Sequence, residues 1–459
     1  MLLVPLALSI GCGDYASPGS DTTSPTDATS DATTPLDTSD AATSGDATSD
    51  ATGDVADVDS PDGPILERPS SDRYTCSEAL APTQPAVKDW SAITALTVDG
   101  EAWVLQSGDG KTYFGEVGAD ATVGTRYELA TTAYSVSTAA ALAHGTAVTL
   151  VWTEYGDAST QTMSHAVVDT KTGVVVAPHS LPAEALVLGG LRLAANGDTA
   201  ALAWSSGDSD SARVRFARVD DDGFVGSPVD VTGDVTSFVG LGPALAAYRD
   251  GFAIAWSEPK GGDPSNSELW FALLDKAGQK TRQPARISQA GGDGHGFGTA
   301  YNQGASPMLV VGDEVWIAYT ESWQNGDFTD TEGATDIFIA RIDADGGVTR
   351  YPFDRSVIDI NQTQPNLFAF GDAVGVSWTS GTAIYICAGC YVDYDLHVAL
   401  VDPATMGLAA APLTHTHNAH GYTRAQTLAL GDDVMNIAWQ DFHALGFPVV
   451  SVAHCAAKR

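Results

Sequence analysis

The chain has 459 residues, 44% of them apolar, and a formal net charge of −36 at pH 7. That apolar share is ordinary for a folded protein and excludes a wholly disordered chain. The acidic excess repels phosphate backbones and anionic bilayer surfaces, so no nucleic-acid partner is expected, and it suits colloidal solubility better than any one cationic partner.

The first twelve residues, MLLVPLALSIGC, have an apolar core from Leu2 to Ile10, then Gly11 and Cys12. This pattern is that of an export signal. It resembles the lipobox of bacterial lipoproteins, in which a Cys after a small residue is lipidated and becomes the mature N-terminus. The resemblance implies a signal over 1–12, lipidation of Cys12, and a lipid bilayer as partner through that anchor alone. The implied location is the outer membrane or cell surface; a plainly cleaved signal would give a periplasmic or secreted protein instead. No other stretch approaches the ~20 apolar residues of a membrane span.

Residues 13–64 are low-complexity Asp, Ala, Thr, Ser and Pro, with twelve Asp and no Lys or Arg. Such a segment cannot offset its ordering entropy, and its like charges extend it. It is expected to be a disordered acidic tether ahead of a folded domain over 65–459.

From Ile65 onward one pattern recurs. FAIAWSE (252–258) has relatives in VTLVWTE (148–154), AALAWSS (200–206), VWIAYTE (315–321), VGVSWTS (374–380) and MNIAWQD (435–441). Side chains alternate with period two, as in a strand, bulky on one side (Phe252, Ile254, Trp256) and small on the other (Ala253, Ala255, Ser257). Neither side is strongly polar, so both are expected to be covered, the large side of one sheet entering the small side of the next. Aligning on the Trp256 position gives Gln106, Trp152, Trp204, Trp256, Tyr319, Trp378 and Trp439. The first of these lies in AWVLQSG (102–108), which breaks the large/small order.

Each unit reads as four strands; in the clearest these are 243–248, 252–258, 269–275 and 283–289. The first turn holds a Gly in every unit: Gly100, Gly145, Gly197, Gly251, Gly312, Gly371 and Gly431. The turn after the third strand runs from Asp to Gly: 169–173, 220–223, 275–278, 343–346 and 402–407. An Asp side chain caps such a turn and Gly supplies positive φ. Turn capping explains these Asp residues without calcium; no cofactor is expected, although a structural divalent cation is compatible with so acidic a chain.

Four-stranded units at this period predict an all-β fold, a seven-bladed β-propeller of four-stranded blades. The repeat A-x-x-W-[ST]-E followed by A-x-x-D-x-x-G resembles that of seven-bladed propellers in bacterial secreted proteins and lipoproteins, over nearly all of residues 76–455. The last unit ends with its third strand, VVSVAHC (449–455), so the segment from Tyr74 to Leu80 is expected to supply the missing fourth. That closure would put Cys76 beside Cys455. With Cys12 lipidated, four Cys remain and three pairings are open; closure favours Cys76–Cys455, with Cys387–Cys390 as a clip in CAGC. A bond between Cys76 and Cys455 closes so long a loop that the entropy model gives about 5 kcal/mol at the upper end. CAGC lacks the helix start of a redox pair and the second C-x-x-C of a zinc site.

Alternate loops of a propeller fall on opposite faces. The Gly and Asp turns occupy one; the long connections 259–268, 289–304, 322–336, 355–364, 380–394 and 414–424 occupy the other. Long loops on a rigid scaffold are where function usually lies. The candidate ligand residues on this face are Glu154, Glu258, Glu321, Trp323, Tyr391, Tyr394 and Asp441. His415, His417 and His420 in THTHNAHGYTR, with His443, form a weaker candidate metal group. No nucleophile elbow, HExxH or phosphate loop is present, so no catalytic residue is assigned. The expected function is binding of an extracellular glycan or protein by a monomer. The alternative is a glycan-active enzyme, a sialidase-like glycosidase or lyase, using paired strand-end carboxylates. SGDGKTYF (107–114) resembles the sialidase Asp-box only faintly.

Overall fold

The structure is a computed structural model. It describes residues 73–78, 91–108, 111–117, 123–131, 136–155, 161–182, 187–207, 212–232, 242–260, 263–288, 296–297, 307–322, 335–354, 360–382, 393–420, 423–430, 434–441 and 448–458. Every described element is a strand, and five of the sheets they form are four-stranded and antiparallel. The fold is a β-propeller of four-stranded blades. In the unit read most clearly from sequence, the strands are Ala244–Tyr248, Gly251–Lys260, Asp263–Asp275 and Ala285–Arg286.

One expectation is corrected. A seven-bladed propeller was expected, and the described strands form six sheets, six blades rather than seven. The fifth and sixth sequence units share one nine-stranded sheet, because Thr335 pairs in parallel with Asn361 where the third strand of one unit passes the first strand of the next. The first strands of successive sequence units still lie side by side in a closed cycle, the last returning to the first.

The large-into-small packing is found as expected. Phe252, Ile254 and Trp256 enter the layer formed by Ala201 and Ala203 of the preceding unit. On the opposite side, Ala253 and Ala255 receive Val315, Ile317 and Tyr319 of the next. All five core positions from Phe252 to Trp256 are at most 2% exposed, so this strand is covered on both faces. Burial of this kind contributes about 25 cal/mol per Å² of apolar surface. The first unit departs as its sequence foretold: Trp103 and Leu105 face Leu150 and Trp152, so bulky side chains meet bulky ones there.

The tight turns are built by the chemistry expected of them. Asp275 Oδ1 accepts the backbone N–H groups of Ala277 and Gln279, and Asp343 Oδ1 those of Asp345 and Gly347. Asp169, Asp220 and Asp402 cap their turns in the same way. The Thr146 hydroxyl and the Thr172 N–H hold the Asp169 carboxyl down to about 2. Gly278 has φ +86°, and a Cβ there would lie 2.5 Å from the Phe216 ring. In the turn before Gly251 the left-handed residue is instead Arg249, and in the 402–407 turn it is Met406. Gly251 is required by close approach, since a Cβ would lie 2.0 Å from the Leu274 carbonyl oxygen.

These turns also link neighbouring units along the short-turn face. Tyr248 donates to the Asp313 carbonyl, Asn196 to that of Arg249, and Arg282 to that of Asp345.

The closure is as expected. Tyr74–Glu78 pairs antiparallel with Pro448–Ala457, with Cys76 opposite Cys455, and the two sulfurs are bonded. Tyr74 packs edge-on against Phe370 and its hydroxyl donates to Asp372. Cys12, Cys387 and Cys390 lie outside the described residues.

Candidate ligand face

Several stretches expected as loops continue instead as strands. Pro259 pairs with Ser267 and Lys260 with Asp263, extending a hairpin beyond Glu258. Residues 360–364 begin a strand, Ile360–Phe370, and 414–420 belong to Leu413–His420. Once two antiparallel strands are paired, each added residue satisfies backbone groups in the ladder, so the hairpins run on past the core.

Two of the seven candidate ligand residues have described side chains. Glu154 is buried, and its Oε1 accepts the indole N–H of Trp152. Glu258 Oε1 accepts the indole N–H of Trp256 at 2.7 Å. The W-[ST]-E of the repeat therefore has a local cause. Residues i and i+2 share a face of the strand, and the carboxylate satisfies a donor that the core would otherwise strand. The structure does not bring Glu154 and Glu258 together; each serves its own unit.

Glu321, Tyr394 and Asp441 sit at strand ends, paired with Asp336, Gly381 and Thr423, and their side chains lie outside the described residues. Trp323 and Tyr391 lie outside them altogether, as does His443. The backbones of His415, His417 and His420 fall in Leu413–His420, their side chains again beyond description. Among the described residues no trio of His, Cys, Asp or Glu stands ready to hold a metal ion.

The structure adds groups that the sequence reading missed. Glu258 pairs directly across the ladder with Glu268, which accepts from Arg286 at 3.2 Å. Opposed residues of an antiparallel pair have Cβ atoms about 5 Å apart, so two Glu residues stand side by side at this strand end, one carboxylate held by Trp256 and the other by Arg286. In the sixth unit the position of Glu258 is taken by Ser380. Its Oγ lies 2.6 Å from His397 Nε2, and His397 Nδ1 lies 3.1 Å from Thr414 Oγ1. Burial, over the opposing field of Asp395, lowers the His397 pKa, favouring a neutral ring between two hydroxyls. His397 stacks on Trp378 with centroids 5.1 Å apart. The Trp378 indole N–H has no acceptor among the described residues, since the Glu of its sister units is absent. That one signal was legible: the aligned repeat shows Ser380 where Glu is usual.

The fold and this face define the chain as a β-propeller with polar, side-chain-fixed strand ends. No protein-family model matches the chain, and no curated protein matches it. Among solved structures it is similar to the subtype N10 neuraminidase-like protein of A/little yellow-shouldered bat/Guatemala, with 9% identity, TM-score 0.41, and coverage of 70% of this chain and 96% of that one. It is similar also to the GH93 alpha-L-arabinofuranosidase of Fusarium graminearum, with 11% identity, TM-score 0.43, and coverage of 69% and 92%. A Dyadobacter fermentans protein of unknown function gives 11%, 0.42, 71% and 95%. Likeness at this level assigns no activity.

Proposed function

We propose that this chain is an exported, envelope-anchored β-propeller that binds an extracellular glycan or protein on its long-loop face. The observation that carries the reading is the state of the strand-end polar groups. Glu154 and Glu258 are held by indole N–H groups and Ser380 by His397. Acceptors and hydroxyls fixed in this way lose little entropy on meeting a polyhydroxylated ligand. Glu321, Trp323, Tyr391, Tyr394 and Asp441 complete the proposed face. Lipidated Cys12 anchors the monomer, residues 13–64 form the tether, and Cys387–Cys390 clips a loop on the ligand side.

The test is a glycan array probed with the purified full chain, beside capture of envelope proteins by the immobilised chain. Saturable binding that falls at least tenfold in Glu258→Ala and Ser380→Ala, with both variants folded, is expected. Binding indifferent to both substitutions overturns the assignment of this face.

One observation favours a second reading, a glycan-active enzyme: Glu258 and Glu268 are paired across the ladder at a strand end. Paired carboxylates are the machinery of glycoside hydrolysis. Product release from the array's bound glycans, abolished in Glu268→Gln, would replace the binding reading with this one.

A further inference from the structure

The strands Ala373–Thr382, Asp393–Val401 and Leu413–His420 are neighbours in one sheet and pair antiparallel. Their register sets Trp378, His397 and Thr414 opposite one another in a row. Ser380 and Asp395 oppose each other two residues further along the same strands. Residues i and i+2 of a strand share a face, so these side chains gather on one side of the strand end.

Their polar atoms are placed as a nucleophile, a base and a group that orients the base. Ser380 is half-buried, so its hydroxyl can be reached. Its Oγ lies 2.6 Å from His397 Nε2, and His397 Nδ1 lies 3.1 Å from Thr414 Oγ1. An Nδ1–H donated to Thr414 fixes the tautomer that leaves the Nε2 lone pair facing the Ser380 hydroxyl. Stacking on Trp378 holds the plane of the imidazole. Burial favours the neutral ring, the state of a base, and the charge of Asp395 favours the imidazolium formed once it takes a proton. The Trp378 indole N–H has no acceptor among the described residues. In the second and fourth units Glu154 and Glu258 supply that acceptor, and Ser380 stands in the same place with a shorter side chain. A substrate carbonyl oxygen can take the missing role, and the donor then suits the oxyanion that nucleophilic attack creates.

We propose that Ser380 is a nucleophile activated by His397, and that this strand end transfers the acyl group of a carboxylic ester to water. Ser380 Oγ bonds to the carbonyl carbon as its proton passes to His397 Nε2. The adduct collapses with breakage of the bond to the alkoxy oxygen, which leaves as the alcohol with that proton. Water, deprotonated by His397, then attacks the acyl carbon; Ser380 Oγ leaves, takes the proton back from His397, and the carboxylic acid is released. Ser380 and His397 are the catalytic residues, and Thr414 positions the base. The activity does not depend on whether the face also binds a glycan or a protein.

The experiment is incubation of the purified full chain with a fluorophosphonate, which captures activated serines with loss of fluoride, followed by peptide mass spectrometry. One adduct per chain is expected, on Ser380, together with hydrolysis of p-nitrophenyl acetate. Both are expected to vanish in Ser380→Ala and to slow at least tenfold in His397→Gln. Thr414→Val is expected to slow labelling severalfold and Thr414→Ser to restore it, with circular dichroism unchanged in each variant. Absence of an adduct, an adduct on another residue, or a rate indifferent to His397→Gln or Thr414→Val overturns the proposal. A chain that binds glycan on the array yet takes no label loses this activity and keeps the binding face.

Discussion

At the residue scale, the repeat Trp and the carboxylate two residues on act as one piece. Removing the carboxylate leaves a buried indole donor without an acceptor, and that costs about 1–3 kcal/mol. Glu258→Ala is expected to lower stability in urea unfolding by this amount, and Glu258→Gln, which keeps an acceptor oxygen, by less. His165 gives a second test. Burial, then the neighbouring His179, hold its pKa down to about 4, against 6.5 for a free imidazole. Between these values the unfolded chain takes up a proton that the folded chain refuses, so stability is full above pH 6.5 and lost as pH falls toward 4. The contribution is about 3 kcal/mol. Unfolding across pH 7 to 4 should show that loss, and His165→Leu should flatten it.

At the element scale, hairpin turns fix the register that puts bulky side chains on one face of the second strand in the units after the first. Two glycines of equal handedness separate backbone strain from packing. Gly100 has φ +83° with nothing within 4 Å of a built Cβ, whereas Gly278 has φ +86° with Phe216 in the way. Gly100→Ala is expected to cost about 1 kcal/mol for the left-handed backbone alone. Gly278→Ala is expected to cost about 2–4 kcal/mol, because a fully buried ring must also shift. Equal losses in the two unfolding titrations would refute the packing account. The turns with Arg249 and Met406 show how far a sequence pattern reaches. The Gly in the motif marks where the chain must reverse, and which residue carries the positive φ depends on the approach of the neighbouring strand.

At the scale of the whole molecule, the sheet array is closed by pairing of segments from opposite ends of the chain. The bond between Cys76 and Cys455 spans a sequence separation of 379 residues. Removal of such a bond is expected to cost about 2–5 kcal/mol, mostly through a less constrained unfolded state. Cys76→Ser paired with Cys455→Ser should therefore lower the midpoint of thermal unfolding while native-state circular dichroism is retained. A midpoint equal to that of the parent chain would remove the disulfide from the account of closure.

The sequence by itself determined the strand pattern, the turn chemistry, the large-into-small stacking and the pairing of the two ends. Each of these rests on local periodicity or on residues whose backbone preferences are strong. Tertiary structure alone decided the rest. The Glu258–Glu268, Ser380–His397 and His165–His179 pairs depend on cross-strand register, which a one-residue slip would abolish and which no local signal encodes. The merging of two sequence units into one sheet rests on a single pair, Thr335 with Asn361, made where one hairpin grows long enough to reach its neighbour. Function lies at that same level, because a binding face is an arrangement of strand ends, and only the closed array sets their positions.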